Sequence, residues 1–312
     1  LIMKEIHKSV LLQEAIDSLS LKEDDVAVDM TLGFAGHSSE ILKRIKKGYL
    51  FAFDQDSEVF TYSRNRLNAI GNNFELIHAN FSEAKEELLK RNITKVDAIL
   101  YDLGVSSYQL DNKERGFSYN NDAVLDMRMN RDNQLTAKIV VNTYSEQDLT
   151  RIFKLYGESK FAKNIARNIV KKRKEKEINT TLELVSIIKE AVPIKERLKK
   201  HPAKQIFQAI RIEVNKELDV LISSLNDSLD LLNVGGRLAV ITFHSLEDKI
   251  VKDTFRKVSE TDSLSKGLPN IPEDKLPDFK IITKKGIVPT DKEEEENHRA
   301  HSARLRVIER IK

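Results

Sequence analysis

Three stretches constrain the fold more than any other feature: VAVDM at 26–30, YLFAFDQD at 49–56 and VDAILYDLG at 96–104. Each is a short apolar run ending at a carboxylate. Between them lie segments with the three-and-four spacing of amphipathic helices, at 38–47, in SEVFTYSRNRLNAI and in SEAKEELLKRN. FELIHAN reads as a further strand. Strands alternating with helices predict a parallel sheet covered on both faces. Ligands of such sheets bind outside the carboxyl ends of the strands. Here those ends carry Asp29, Asp54, Asp56 and Asp102.

The pattern changes near residue 107. Residues 108–137 are polar and loop-like, and 137–200 read as several helices dense in Lys and Arg. QIFQAIRIEVNKELDVLISSLNDSLDLLN then gives a long amphipathic helix, broken once. VGGRLAVITF is a fifth strand behind a Gly-Gly turn, HSLEDKIVKDTFRKV a helix, and FKIITKK and ARLRVIERI two last strands. The simplest parse is an α/β domain from 1–106 and 205–312, with a helical, basic domain at 107–204 inserted between the fourth and fifth strands.

Composition excludes several chemistries. The chain has no cysteine, so disulfides, zinc–thiolate sites and thiol nucleophiles are closed to it. An oxidising compartment is not required, and the cytoplasm is the expected location. No apolar run approaches the ~20 residues of a membrane span. Nothing in the pattern marks an obligate protein partner, and no His/Asp/Glu cluster has metal-ligand spacing, so no metal is expected. The net charge of +3 says little by itself. Its distribution says more, because KKRKEKE at 171–177 and KERLKKHPAK at 195–204 concentrate the basic residues in the insert.

DMTLGFAGHSS at 29–39 fills the first strand-to-helix turn, where glycines and a helix N-terminus let a ligand approach the backbone. His37 and Ser38 fall at the helix start, with Ser38 as the expected cap. An ordinary βα loop with a Ser cap reads the same way. The dinucleotide fingerprint of three glycines is not met, since only Gly33 and Gly36 are present. Asp54 and Asp56 follow about 20 residues after Gly33, where a carboxylate commonly accepts from ribose hydroxyls. Together these features point to a nucleoside-containing cofactor, either nicotinamide-based or S-adenosylmethionine. The missing glycine leans toward the latter.

At YDLGVSSYQLD the chain becomes recognisable. With DMTLGFAGHS, AFDQD, RGFSY, LDMRM, YGESKFAKNIA, HPAKQIFQAIRIEVNKEL, GGRLAVITFHSLEDKIVK and NHRAHSARLRVIER, it resembles the MraW-type family along nearly its whole length. Those are bacterial S-adenosylmethionine-dependent methyltransferases that modify the exocyclic N4 amine of a cytosine in the decoding region of 16S ribosomal RNA. The resemblance implies a Rossmann-like class I methyltransferase sheet with a helical substrate-recognition insert. It places cofactor contacts on Ala35, Gly36, His37, Asp54, Phe81, Asp102 and Gln109. The chain departs from the family pattern at Phe34 and Ala35, where a second glycine and a basic residue are usual, and at His301, where the family carries arginine.

Methyl transfer from a sulfonium is an in-line displacement that needs alignment and the right field. Cytosine's amine is a poor nucleophile because its lone pair is delocalised. An acceptor on an amine hydrogen localises that pair, and a proton must leave afterwards. Asp102 is the expected acceptor. Without a thiol, the covalent route to carbon 5 is closed, which leaves the amine or a ribose hydroxyl. Lys171, Lys172, Arg173, Lys174, Lys199, Lys200 and Lys204 are the candidate phosphate contacts for 16S ribosomal RNA within the small subunit. Phe117, Tyr119 and Tyr108 are candidate stacking residues that read equally well as core. His244 reads as structural, and Arg128, Glu247 and Asp248 as ion-pair or hinge residues. Three other functions fit less well: a nicotinamide-dependent oxidoreductase, a non-catalytic RNA-binding assembly factor, and a methyltransferase acting on DNA or protein.

Overall fold

The computed structural model describes residues 9–199, 201–261 and 269–312. It divides into two compact units. One holds the chain up to Gly104 and again from Leu218; the other is Val105–Glu217. The first unit opens with α1 (Leu12–Ser18) and then alternates: β1 (Val26–Asp29), α2 (Gly36–Arg44), β2 (Tyr49–Asp54), α3 (Phe60–Asn68), β3 (Phe74–His78), α4 (Ala84–Lys90) and β4 (Val96–Asp102). The second unit contributes α5 (Ser107–Asp111), α6 (Ala137–Thr143), α7 (Glu146–Leu155), α8 (Ala162–Glu175), α9 (Thr181–Glu190), α10 (Ile194–Lys199) and α11 (Ala203–Asn215). The first unit resumes within α12 (Glu217–Leu231), followed by β5 (Leu232–Thr242), α13 (Ser245–Ser259), β6 (Phe279–Ile281), α14 (Asp291–Glu296) and β7 (Arg304–Arg310).

The seven strands form one sheet in the order β3-β2-β1-β4-β5-β7-β6. β1 to β5 run parallel, and β7 lies antiparallel between β5 and β6. The strand order reverses between β1 and β4, which is where a Rossmann-like sheet opens its ligand crevice. Register sets Asp29 opposite Leu100 and Asp102 opposite Ile241. The apolar runs are buried on both faces because successive side chains point to opposite sides. Ala27, Leu50, Ala52 and Leu100 pack with Leu11, Ile16, Ile41 and Leu42 on one side. Val28, Phe51, Phe53, Ile99 and Tyr101 pack with Leu221, Leu225, Val251 and Phe255 on the other. Each large side chain buried this way contributes about 1.5–3 kcal/mol. The Tyr101 hydroxyl also bonds Ser228 at 2.7 Å and Ser224, both in α12.

The second unit has its own core. Val140, Ile152, Phe153, Ile165, Ile169, Leu184, Ile206 and Ile210 bring α6, α7, α8, α9 and α11 together. The sequence boundary at 204 therefore moves to Glu217, because α11 spends its apolar face in this core. The chain leaves α11 at Lys216, whose φ of 51° is left-handed, and this is the single break expected in the long helical pattern. RGFSY and LDMRM are structural. Arg115 is fully buried, and its Nη2 donates to the carbonyls of Arg128 (2.9 Å) and Met129 (3.1 Å). Gly116 has φ +69°, and a Cβ there would meet the Val124 carbonyl at 2.3 Å. The Asn215 side chain accepts from Met129 N at 2.8 Å and donates to the Met127 carbonyl at 2.9 Å.

Candidate active site

The loop after β1 is held in shape by side chains from β2 and α3. Gly33 N donates to Asp54 Oδ2 at 2.8 Å, Ser63 Oγ donates to the Gly33 carbonyl at 2.7 Å, and Arg66 Nη1 donates to the Phe34 carbonyl at 2.9 Å. Ala35 sits at φ 60°, a left-handed conformation that costs a Cβ-bearing residue about 1–2 kcal/mol. Gly36 is fixed by crowding: a Cβ there would lie 1.8 Å from Ser9 Oγ. α2 begins at Gly36 with no side-chain cap, so Ser38 does not cap it. It lies inside the first turn, buried, and donates to Asp29 Oδ2 at 2.6 Å. Its position past the N-cap, Ala35, takes it out of capping geometry, and its hydroxyl hydrogen goes to the buried carboxylate.

Carboxyl groups line this end of the sheet. Asp29 is buried and also accepts from Thr31 N at 3.0 Å; burial is the main cause of its raised pKa. Thr31 Oγ1 in turn accepts from Asp102 N at 2.7 Å, so one threonine ties the ends of β1 and β4 together. Sequence reasoning missed Thr31, although its position two residues past a strand-end Asp is a usual place for such a link. Asp54 accepts from Gly33 N and Asp56 N, and burial pushes its carboxyl up to about 6. Asp56 caps the short turn that follows, accepting from Glu58 N at 3.1 Å. Asp102 stands at the reversal of strand order. Its Oδ1 is sealed from water and has no hydrogen-bond partner among the described residues. Its side chain as a whole is 27% exposed, so the group borders open space. Burial, then the charges of Asp29 and Glu247, push this carboxyl up to about 8. His37 is buried beside it, with Nδ1 3.6 Å from Asp102 Oδ2.

Ala35, Gly36, His37, Asp54, Phe81 and Asp102 thus all lie at the carboxyl end of this sheet. Phe81 follows β3, half-buried, with its ring edge-on to Tyr101 at 5.3 Å. Gln109 belongs to the second unit, where it closes a capping box with Ser106 on α5. His244 caps α13, and Asp248 pairs both oxygens with Arg306 at 2.7 and 2.9 Å. Buried carboxylates with spare acceptor capacity, one with a buried oxygen unpartnered among the described residues, fit a polar, cationic nucleoside better than an apolar ligand.

Among the basic residues of the second unit, several are already engaged. Lys172 pairs with Glu190 at 3.1 Å and Lys199 with Glu196 at 2.8 Å. Arg173 departs from the expected phosphate role: its Nη1 donates to the carbonyls of Val141 (3.0 Å) and Tyr144 (2.7 Å), closing the end of α6. Lys171, Lys174 and Lys204 are exposed and make no ion pair within the described residues. Lys171 lines an open groove with Asn164, Arg167, Asn168, Glu190 and Ala191. Lys200 lies outside the described residues. Phe117 is buried in the core, and Tyr119 stacks on His201 at 4.8 Å, so both serve packing. Arg128 forks onto Asp126 at 2.8 and 2.9 Å, as an ion-pair residue.

Comparison with known proteins identifies the family. The "Ribosomal RNA small subunit methyltransferase H" of Streptococcus mutans is 54% identical over 310 residues, covering 98% of each chain. Those of Limosilactobacillus fermentum and Exiguobacterium sibiricum are each 51% identical, again covering 98% of both chains. The MraW methylase family profile matches residues 4–311, and the chain belongs to that family.

Proposed function

We propose that this chain transfers a methyl group from S-adenosylmethionine to the exocyclic N4 amine of a cytosine in the decoding region of 16S ribosomal RNA, presented by the small ribosomal subunit in the bacterial cytoplasm. Membership of a methylase family and the names of its relatives support the reaction class and the RNA. The observation that carries the chemistry is Asp102, a carboxyl at the reversal of strand order with one buried oxygen left without a partner among the described residues.

S-adenosylmethionine supplies an electrophilic methyl on a cationic sulfur and leaves as a neutral thioether. The protein's residues do the rest. Asp54 has acceptor capacity for ribose hydroxyls beyond the two amides it already holds. Phe81 offers a half-buried ring to a purine. The carboxylate of Asp102 accepts from the amine, localises its lone pair and then takes its proton. A cation nearby favours the ionised form of Asp102 and so opposes the burial that holds its pKa high. In the second unit, Lys171, Lys174 and Lys204 are available to phosphates, and these contacts position the strand without reading its sequence.

The test is transfer of labelled methyl to small subunits lacking the modification, followed by digestion to nucleosides and mass identification. Label in N4-methylcytidine is expected. Label at carbon 5, on ribose, or in protein or DNA alone overturns the assignment. Absence of transfer with NAD bound in calorimetry points to an oxidoreductase, and absence with RNA bound points to an assembly factor.

A further inference from the structure

We propose that His37 is a positioning residue for Asp102: in the resting protein its Nδ1 accepts a proton carried on Oδ2 of the Asp102 carboxyl. The geometry begins at the far side of the ring. Nε2 of His37 lies 3.1 Å from the carbonyl oxygen of Val10, a group that only accepts. The ring hydrogen therefore sits on Nε2, and a neutral ring presents a bare lone pair at Nδ1. That lone pair faces Asp102 Oδ2 at 3.6 Å. Two acceptors facing each other repel, and one proton between them converts the repulsion into an O–H···N bond. The separation is longer than a closed bond. A small torsion of the Asp102 side chain, which borders open space, closes it.

Two arrangements put a proton there: an imidazolium with a carboxylate, or a neutral ring with a carboxylic acid. Burial disfavours making two charges where none is needed. Among the described residues, the groups facing the pair are Asp29 at the end of β1, the Thr31 hydroxyl, Glu247 in α13 and the Val10 carbonyl. The charged ones, Asp29 and Glu247, are both anionic and oppose ionisation of Asp102. The same environment lowers His37 to about 4, burial being the main cause. The acid form of Asp102 with a neutral His37 follows.

The catalytic consequence rests on the reading of Asp102 as the amine's acceptor. Asp102 gives its proton to solvent when a cation occupies the rim. It then takes one from N4, whose N–H bond breaks as the O–H bond forms. Each cycle thus returns Asp102 to the acid form that His37 holds.

The resting pair is tested on the full chain without cofactor, by nuclear magnetic resonance of ring nitrogens and aspartate carboxyls against pH. A single Nε2–H tautomer of His37 is expected across the neutral range. Its Nδ1 signal should step at the Asp102 midpoint, well above the usual carboxylate range, and the step should vanish in Asp102→Ala. An Nδ1–H tautomer, an imidazolium at neutral pH, or Asp102 titrating near 4 overturns the proposal. Calorimetry in buffers of different ionisation heat then tests the loading step. S-adenosylmethionine should release up to one proton more than S-adenosylhomocysteine near pH 7; equal release overturns that step. Neither readout depends on methyl transfer, so a failure of the proposed reaction would show separately.

Discussion

At the carboxyl edge of the first unit's sheet, Asp29 and Asp54 are held by hydroxyls and backbone amides, Asp102 lies 3.6 Å from the buried His37 ring, and the pKa values of all three carboxyls rise. On the surface of the second unit, Lys172, Lys176, Lys199 and Arg128 each meet a carboxylate within 3.1 Å. Buried charge without a counter-charge lowers stability and persists where a ligand or reaction needs it. Exposed, paired charge contributes about 0–1 kcal/mol and leaves little for a partner. The composition of a basic segment therefore overstates its RNA-binding capacity. Of the seven candidate phosphate contacts, setting aside those already engaged and Lys200, which lies outside the described residues, leaves Lys171, Lys174 and Lys204.

Substitutions sharpen the contrast. Among its described residues the second unit has one fully buried charge of its own, Arg115, and there the partners are structural. Arg115→Met strips the Arg128 and Met129 carbonyls of a donor and should cost about 3 kcal/mol, read as a fall in the unfolding midpoint. Next comes the RNA surface. Replacing Lys171, Lys174 and Lys204 together by Ala should flatten the salt dependence of RNA affinity by about 2 in slope, at roughly 0.7 per contact on single-stranded RNA. A slope unchanged from wild type would place the RNA elsewhere.

The sheet edge predicts a gain in stability. The folded pKa of Asp102, about 8, lies above its ordinary 3.8, so the native state binds this proton more tightly than the unfolded state does. The stability from that proton is fully present below about 4 and is lost as pH rises toward 8. Asp102→Asn should therefore raise the unfolding midpoint by a few degrees at pH 8 and by little at pH 4. The smallest effect falls on a paired surface charge: Lys172→Ala should change stability by less than about 1 kcal/mol and leave the salt slope near that of wild type.

Much of the sheet edge was legible because apolar runs that stop at Asp announce both a buried strand and its functional end. Asp29, Asp54 and Asp102 all sit where the alternation put them. The connections between them were not legible. Ser38 has the sequence signature of a cap, but a cap must stand just before the helix, and only the fold shows that α2 starts at Gly36 and leaves Ser38 inside the first turn to donate to Asp29. The unit boundary was missed for a related reason. The periodicity of α11 specifies an apolar face but not which core will bury it, and Ile206 and Ile210 go to the second unit. Arg173 stands in a run of basic residues, and nothing local distinguishes a side chain bound to the backbone of another helix from its solvated neighbours.

The central claim is that Asp102 is held in a buried, anionic setting that makes it costly to ionise because it must take a proton from the amine. Asp102→Asn keeps the shape and removes that capacity. The measurement is its methylation rate on small subunits at saturating cofactor, with S-adenosylmethionine affinity determined on the same sample. The account predicts a rate lower by about 10²–10⁴, with cofactor affinity within a few-fold of wild type. A variant that binds cofactor and methylates N4 at the wild-type rate would contradict it.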